Sequence, residues 1–284
     1  MHIESFFDRT TSTWSHVVHA GRGTACAIVD PVLDYEPKAG RVSTANAQRI
    51  VDYIRSETLT VEWILETHAH ADHISAGAWL KRELGGRTGI GDRITIVQNA
   101  FRQIYNLGRD FPVDGSQFDH LFAPDEEFSI GSLKAQALYL PGHTPADVAY
   151  RVGDAVFVGD TLFPSDVGTA RCDFPGGDPR TLYRSIRTLL ALPPDTRLYM
   201  CHDYPPAGRQ AQPFTTVTDE RAANIHVRDA IAEDQFVEMR TRRDATLEMP
   251  VLILPSVQVN INAGRFPEPE SNGIRYLRIP VDAF

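Results

Sequence analysis

Three histidines and an aspartate crowd into the segment His68-Ala-His70-Ala-Asp72-His73, directly after the apolar run Val61-Glu-Trp-Ile-Leu65. Imidazoles packed this closely repel one another when protonated and are costly to bury without a cation. The apolar run reads as a strand, and residues 74–84 read as a helix stopped by Gly85-Gly86. The cluster therefore lies on a strand-to-helix loop, where layered α/β chains present ligands and catalytic groups.

The same pattern returns further along the chain. The strand expected over residues 133–140 feeds Pro141-Gly142-His143, that over 155–158 feeds Gly159-Asp160, and that over 197–200 feeds Cys201-His202-Asp203-Tyr204. Further strands are expected over 24–29, closed by Asp30-Pro31, and over 148–152. Helices are expected over 43–55, 179–190 and 218–240. Imidazoles and carboxylates hold zinc or non-haem iron, and loops at one sheet edge bring distant residues together. His68 and His70, two apart, share a side of an extended segment. Two neighbouring metal positions are open to these residues: His68, His70 and His143 at one, Asp72, His73 and His202 at the other, with Asp160 between them. His2, His16, His19, His120 and His226 carry no such company and read as ordinary core or surface histidines.

Composition narrows the classes. The chain has 284 residues and a net charge of −9, long enough to bury a core without disulfides or a structural metal. The acidic balance argues against nucleic acid as partner. Three cysteines at wide spacing, Cys26, Cys172 and Cys201, form neither a disulfide framework nor a paired zinc motif, which points to a reducing compartment. Residues 1–13 lack an apolar signal region, and no stretch reaches the ~18 apolar residues of a membrane span. The expectation is a cytoplasmic protein without a membrane partner. Residues 206–284, punctuated by Pro, Asn and Gly, read as an extension packed on the 1–205 body, with Asn260 and Asn262 as turn formers.

His68-Ala-His70-Ala-Asp72-His73, Pro-Gly-His143-Thr, Gly-Asp160-Thr-Leu-Phe and His202, in that order, resemble the metallo-β-lactamase superfamily. Gly168-Thr-Ala-Arg-Cys-Asp-Phe-Pro-Gly-Gly177, Cys201-His-Asp-Tyr204 and Val257-Gln-Val-Asn-Ile-Asn-Ala-Gly264 are similar to its persulfide dioxygenase branch, also called sulfur dioxygenases, and more distantly to glyoxalase II. The resemblance implies an α/β fold, an αββα sandwich of two mixed β-sheets flanked by helices, with the metal at one edge. It also implies one Fe(II) per chain held by His68, His143 and Asp160. A face of two histidines and one carboxylate leaves positions for dioxygen and a substrate sulfur together.

On that resemblance His70, Asp72, His73 and His202 support catalysis around the metal. A glutathione-type substrate brings carboxylates to an acidic chain, and the planar fork of Arg171 suits one; Tyr204, two residues past His202, is the candidate to donate a hydrogen bond near the open positions. The implied reaction is oxidation of glutathione persulfide by O2 to sulfite and glutathione. Homodimers are common among similar proteins. The alternative is a glyoxalase II-like hydrolase of glutathione thioesters with two zinc ions, because every position of a two-metal site is present.

Overall fold

The computed structural model describes residues 1–283. The N-terminal half runs β1 (His2–Asp8), β2 (Thr13–His19), β3 (Ala25–Val29), β4 (Val32–Glu36), β5 (Arg41–Ser43), α1 (Ala45–Ser56), β6 (Thr60–Leu65), β7 (Ile74–Ser75), α2 (Gly77–Leu84), β8 (Arg87–Gly91), α3 (Ile94–Ile104) and β9 (His120–Phe122). The remainder runs β10 (Glu127–Ile130), β11 (Leu133–Tyr139), β12 (Val148–Val152), β13 (Ala155–Phe157), a 3-10 turn (Gly159–Thr161), α4 (Pro179–Leu190), β14 (Arg197–Tyr199), β15 (Phe214–Thr216), α5 (Val217–Ala223), α6 (Glu233–Asp244) and α7 (Ile253–Asn260).

Two six-stranded mixed sheets result, ordered β1-β2-β3-β6-β8-β9 and β10-β11-β12-β13-β14-β15, and β5-β4-β7 forms a small third sheet. In the first, β1, β2 and β3 are antiparallel neighbours and β6, β8 and β9 join in parallel. The period-2 alternation of β3 explains the layering: Cys26 and Ile28 face α1 and α2, whereas Ala27 and Val29 face the second sheet. The α1 residues Ala47, Ile50, Val51 and Ile54 form the matching helical stripe. Between the sheets lie Trp63, Phe122, Tyr150 and Phe157, all buried. Each such side chain contributes about 1.5–3 kcal/mol on leaving water. On the far side Leu182, Ile186, Leu189 and Leu190 of α4 cover the second sheet. The molecule is an αββα sandwich.

α4 spans the residues expected of it, with Asp178 as N-cap accepting from the Thr181 amide at 2.7 Å and Pro179 at the first turn. Two expected helices are corrected. Residues 74–75 pair with β4 instead of opening α2, because the Ser75 amide is taken by the Asn260 side chain and the Ala76 amide by the Pro31 carbonyl. The 218–240 helix is two helices, since Asn224 Oδ1 accepts from the His226 and Val227 amides and ends α5 there. In the C-terminal extension α6 packs on α4 and α7 on β7. Among the described residues no helix is long and apolar enough to cross a membrane.

Candidate metal centre

The loop after β6 is fastened from behind, and that fastening decides which ring atoms face forward. Asp30, at the end of β3, accepts from the Thr67 amide at 2.7 Å, from Thr67 Oγ1 at 2.9 Å and from His70 Nε2 at 3.0 Å. Thr67 Oγ1 spends its proton on Asp30, so it accepts from His68 Nδ1 at 3.1 Å. His143 Nδ1 donates to the Arg171 carbonyl at 2.7 Å, and His202 Nδ1 donates to the Ser12 carbonyl at 3.3 Å. The bonds made by His68, His70 and His143 place the ring proton on the rear nitrogen and leave the forward nitrogen as a lone pair, as in metal-binding histidines, whereas the forward nitrogen of His202 faces Asp72 Oδ2 at 2.9 Å. The forward atoms His68 Nε2 and His70 Nδ1, with Asp160 Oδ1, are buried without a hydrogen-bond partner, while His202 Nε2 and His73 Nδ1 face the Asp72 carboxylate at 2.9 and 3.3 Å. Orphaned lone pairs of this kind are costly unless a cation satisfies them. The donor set therefore fits a first-row divalent metal.

These atoms fall into two groups. Ligand atoms of His68, His143 and Asp160 lie within 4.8 Å of one another, and so do those of His70, Asp72, His73 and His202. Asp160 Oδ2 lies 3.9 Å from His68 Nε2 and 3.7 Å from His143 Nε2, while its Oδ1 lies 3.4 Å from His202 Nε2. Asp160 can stand so close to the histidine loop because Gly159, at φ +56°, has no side chain: a Cβ there would sit 2.7 Å from Thr67 Oγ1. Burial, reinforced by neighbouring imidazoles, holds His68 and His70 well below the usual histidine range, so both are neutral donors. Burial opposes charge on His202 too, but Asp160 and Asp72 raise it to about 10.

The centre opens into a cavity of about 310 Å³, floored by Asp72, His143 and Asp160. Phe163, Val167, Phe174 and Leu247 supply apolar walls, and Tyr204, Arg171, Arg240 and Arg243 also line it. The arginines differ in what they have left to offer. Arg171 gives Nε and Nη2 to the Asp173 carboxylate at 2.6 Å each, and Nη1 to the Glu248 carbonyl at 2.7 Å. Arg240 is buried against Asp244 and the Thr169 carbonyl. Arg243 is exposed and, among the described residues, has no carboxylate partner. The wall residues 168–171 are pinned from outside: Asn224 donates to the Gly168 carbonyl at 3.1 Å, and the Thr169 amide donates to His226 Nδ1 at 3.0 Å.

Comparison with known proteins agrees with this geometry. The family model for the metallo-beta-lactamase superfamily matches residues 9–202. This chain belongs to the metallo-β-lactamase superfamily. Among its superfamily relatives, a probable metallo-hydrolase of Burkholderia pseudomallei is 53% identical over all of both chains. Glyoxylase B2 of Dictyostelium discoideum is 49% identical over 99% of this chain and 97% of its own. The crystal structure of ETHE1 from Myxococcus xanthus superposes with a TM-score of 0.73 at 26% identity, covering 93% of this chain and 100% of that one.

The superfamily motif residues expected at the site, His68, His70, Asp72, His73, His143, Asp160 and His202, converge on one edge of the sandwich. Ligand atoms of His70 group with those of Asp72, His73 and His202, and its ring lies 4.0 Å from that of His68. Tyr204 lines the cavity, its ring stacked on His202 at 5.8 Å and edge-on to Phe163. Cys201 also lies against His70, Asp160 and His202, and burial pushes its thiol well up. Asn262 is a half-buried turn residue, whereas Asn260 is buried at the end of α7. Two features escaped the sequence. Arg243 carries no motif, and its significance lies in lacking a partner. Glu66 sits buried with Oε2 3.6 Å from His70 Nε2, and burial together with the charge of Asp30 holds its carboxyl well above the usual range.

Proposed function

We propose that this protein is an Fe(II)-dependent persulfide dioxygenase that oxidises glutathione persulfide with O2 to sulfite and glutathione. The observation that carries the proposal is the His68, His143 and Asp160 group, two imidazoles and one carboxylate grouped beside an apolar cavity that reaches His143 and Asp160. Likeness to ETHE1, a persulfide dioxygenase, over almost the whole chain supports the same choice. Iron bound there supplies redox chemistry and open positions for dioxygen and a sulfur ligand.

In the overall reaction the terminal sulfur loses four electrons and dioxygen gains them. The S–S bond breaks, glutathione leaves as thiol, and sulfite takes two oxygens from O2 and one from water. The chain's own residues orient and exclude. Phe163, Val167 and Phe174 keep bulk water from the sulfur. Tyr204, which lines the cavity with its ring on His202, donates a hydrogen bond to the substrate in this reading. Arg171 stiffens the wall through Asp173 and Glu248 and offers its remaining donors to a substrate carboxylate. Arg243, the cavity arginine without a carboxylate partner among the described residues, suits a carboxylate that must approach a protein of charge −9.

A second reading, a glyoxalase II-like dinuclear hydrolase of glutathione thioesters, is favoured by the grouped ligand atoms of His70, Asp72, His73 and His202 and by likeness to Glyoxylase B2. Metal analysis of protein purified from unsupplemented cells separates the two. About one iron per chain is expected; two zinc ions per chain would favour the hydrolase.

A further inference from the structure

The turn that carries His70, Asp72 and His73 has no regular backbone bonding of its own, and a helix about 190 residues away supplies it. Asn260, buried at the end of α7, donates from Nδ2 to the His70 carbonyl and to the His73 carbonyl, each at 2.8 Å, and its Oδ1 accepts from the Ser75 amide at 2.8 Å. Among the described residues neither carbonyl has another partner. One amide group thus brackets Asp72, holding the peptide units on both sides of it toward α7. The side chains of His70, Asp72 and His73 meet His202 instead. Close approach of the tail keeps the grip short: Gly264, at φ +75°, would place a Cβ 3.0 Å from the Ser75 carbonyl.

We infer that Asn260 is a positioning residue of the metal centre, so that the C-terminal extension is part of the metal-binding machinery and not only a cover for the sandwich. The inference does not depend on the reaction proposed above, since it concerns the geometry of the turn with either iron or zinc. Its physical basis is that hydrogen bonds behind a metal-binding turn keep the donor atoms preorganised, and losing such supports typically costs about 10–100-fold in metal affinity.

α7 carries its own control. Gln258 makes a similar set of amide bonds, to the Leu254 and Arg278 carbonyls at 2.6 and 2.8 Å and from the Arg278 amide at 2.9 Å, but it holds the tail, not the turn. Metal affinity would be measured on the full chain by chelator competition with Fe(II) and with Zn(II), alongside the thermal transition of the metal-free protein. Asn260→Ala is expected to weaken affinity about 10–100-fold and Gln258→Ala to leave it within about threefold, at comparable losses of thermal stability. Asn260→Asp, which keeps the shape but turns a carboxylate toward two carbonyls, is expected to lose at least as much affinity as the alanine variant. Equal affinity losses in Asn260→Ala and Gln258→Ala, or full affinity in Asn260→Asp, would overturn the inference.

The wild-type protein gives a test that needs no variant to fold. Adding metal is expected to slow amide exchange in α7 (Ile253–Asn260) together with residues 68–75, and more than in α1 (Ala45–Ser56). Protection confined to 68–75, with α7 unchanged, would contradict it.

Discussion

The metal edge and the cavity wall touch each other but are built on different terms. At the edge each ligand follows a strand closely, and a buried partner behind it fixes its orientation: Asp30 behind His70, the Arg171 carbonyl behind His143, the Ser12 carbonyl behind His202. The wall consists of residues 168–171 and the stretch around α6, whose polar groups are largely committed to one another. A binding edge needs fixed donor atoms, whereas a wall needs only shape and one spare charge. Substitutions at the edge should therefore act through metal retention and those in the wall through substrate affinity.

The largest expected effect is at the edge. His68→Ala and Asp160→Ala should each abolish metal retention and turnover while the fold persists, measured by metal content and circular dichroism. Retained metal in either variant would remove that residue from the ligand set. In the wall, Arg243→Ala should raise KM about tenfold with kcat nearly unchanged, the cost of one exposed charge contact with a carboxylate. Arg171→Ala should also raise KM, and the tie to Glu248 would go with it. An unchanged KM in both variants would break the assignment of the wall to substrate carboxylates.

Smaller effects come from the groups that pin the wall. Burial, with the charges of Arg240 and Arg243, holds His226 down at about 4. The unfolded chain therefore binds a proton before the folded one, and stability from His226 is lost as pH falls from 6.5 towards 4. Burial raises Glu220 to about 7, and its Oε2 accepts from Asn224 at 2.6 Å. Here the folded chain holds its proton longer, so stability falls as pH rises from 4.5 towards 7. Each group contributes on the order of 2–3 kcal/mol over its window. The opposed slopes overlap and largely cancel. Glu220→Gln should uncover a rise in stability between pH 4 and 6.5, and His226→Asn, which keeps an acceptor for the Thr169 amide, should uncover a fall between pH 4.5 and 7. Parallel curves for wild type and both variants would show that neither group is buried as described.

The same contrast explains what could be read without coordinates. His68 to His73, His143, Asp160 and His202 were legible because residue type and strand-end position are both local properties of the sequence. α4 was legible because Asp178, Pro179 and the apolar stripe agree. The break between α5 and α6 was not, since Asn224 caps by folding its side chain back on the next two residues. Nor was β7, whose two residues are a strand only because β4 and Asn260 occupy their backbone groups. Asn260 itself sits in a run whose Pro, Asn and Gly residues suggest turns, and its partners lie far away in sequence. Arg243 looks like any other surface arginine until the partners of Arg171 and Arg240 are seen.

The central claim is that this edge and wall together run oxygen chemistry on a persulfide. Oxygen uptake by iron-loaded protein on addition of glutathione persulfide tests it most directly, with sulfite measured in the same vessel. The account predicts one O2 consumed for each sulfite formed. No oxygen uptake by iron-loaded protein, together with hydrolysis of a glutathione thioester by the zinc form, would contradict it.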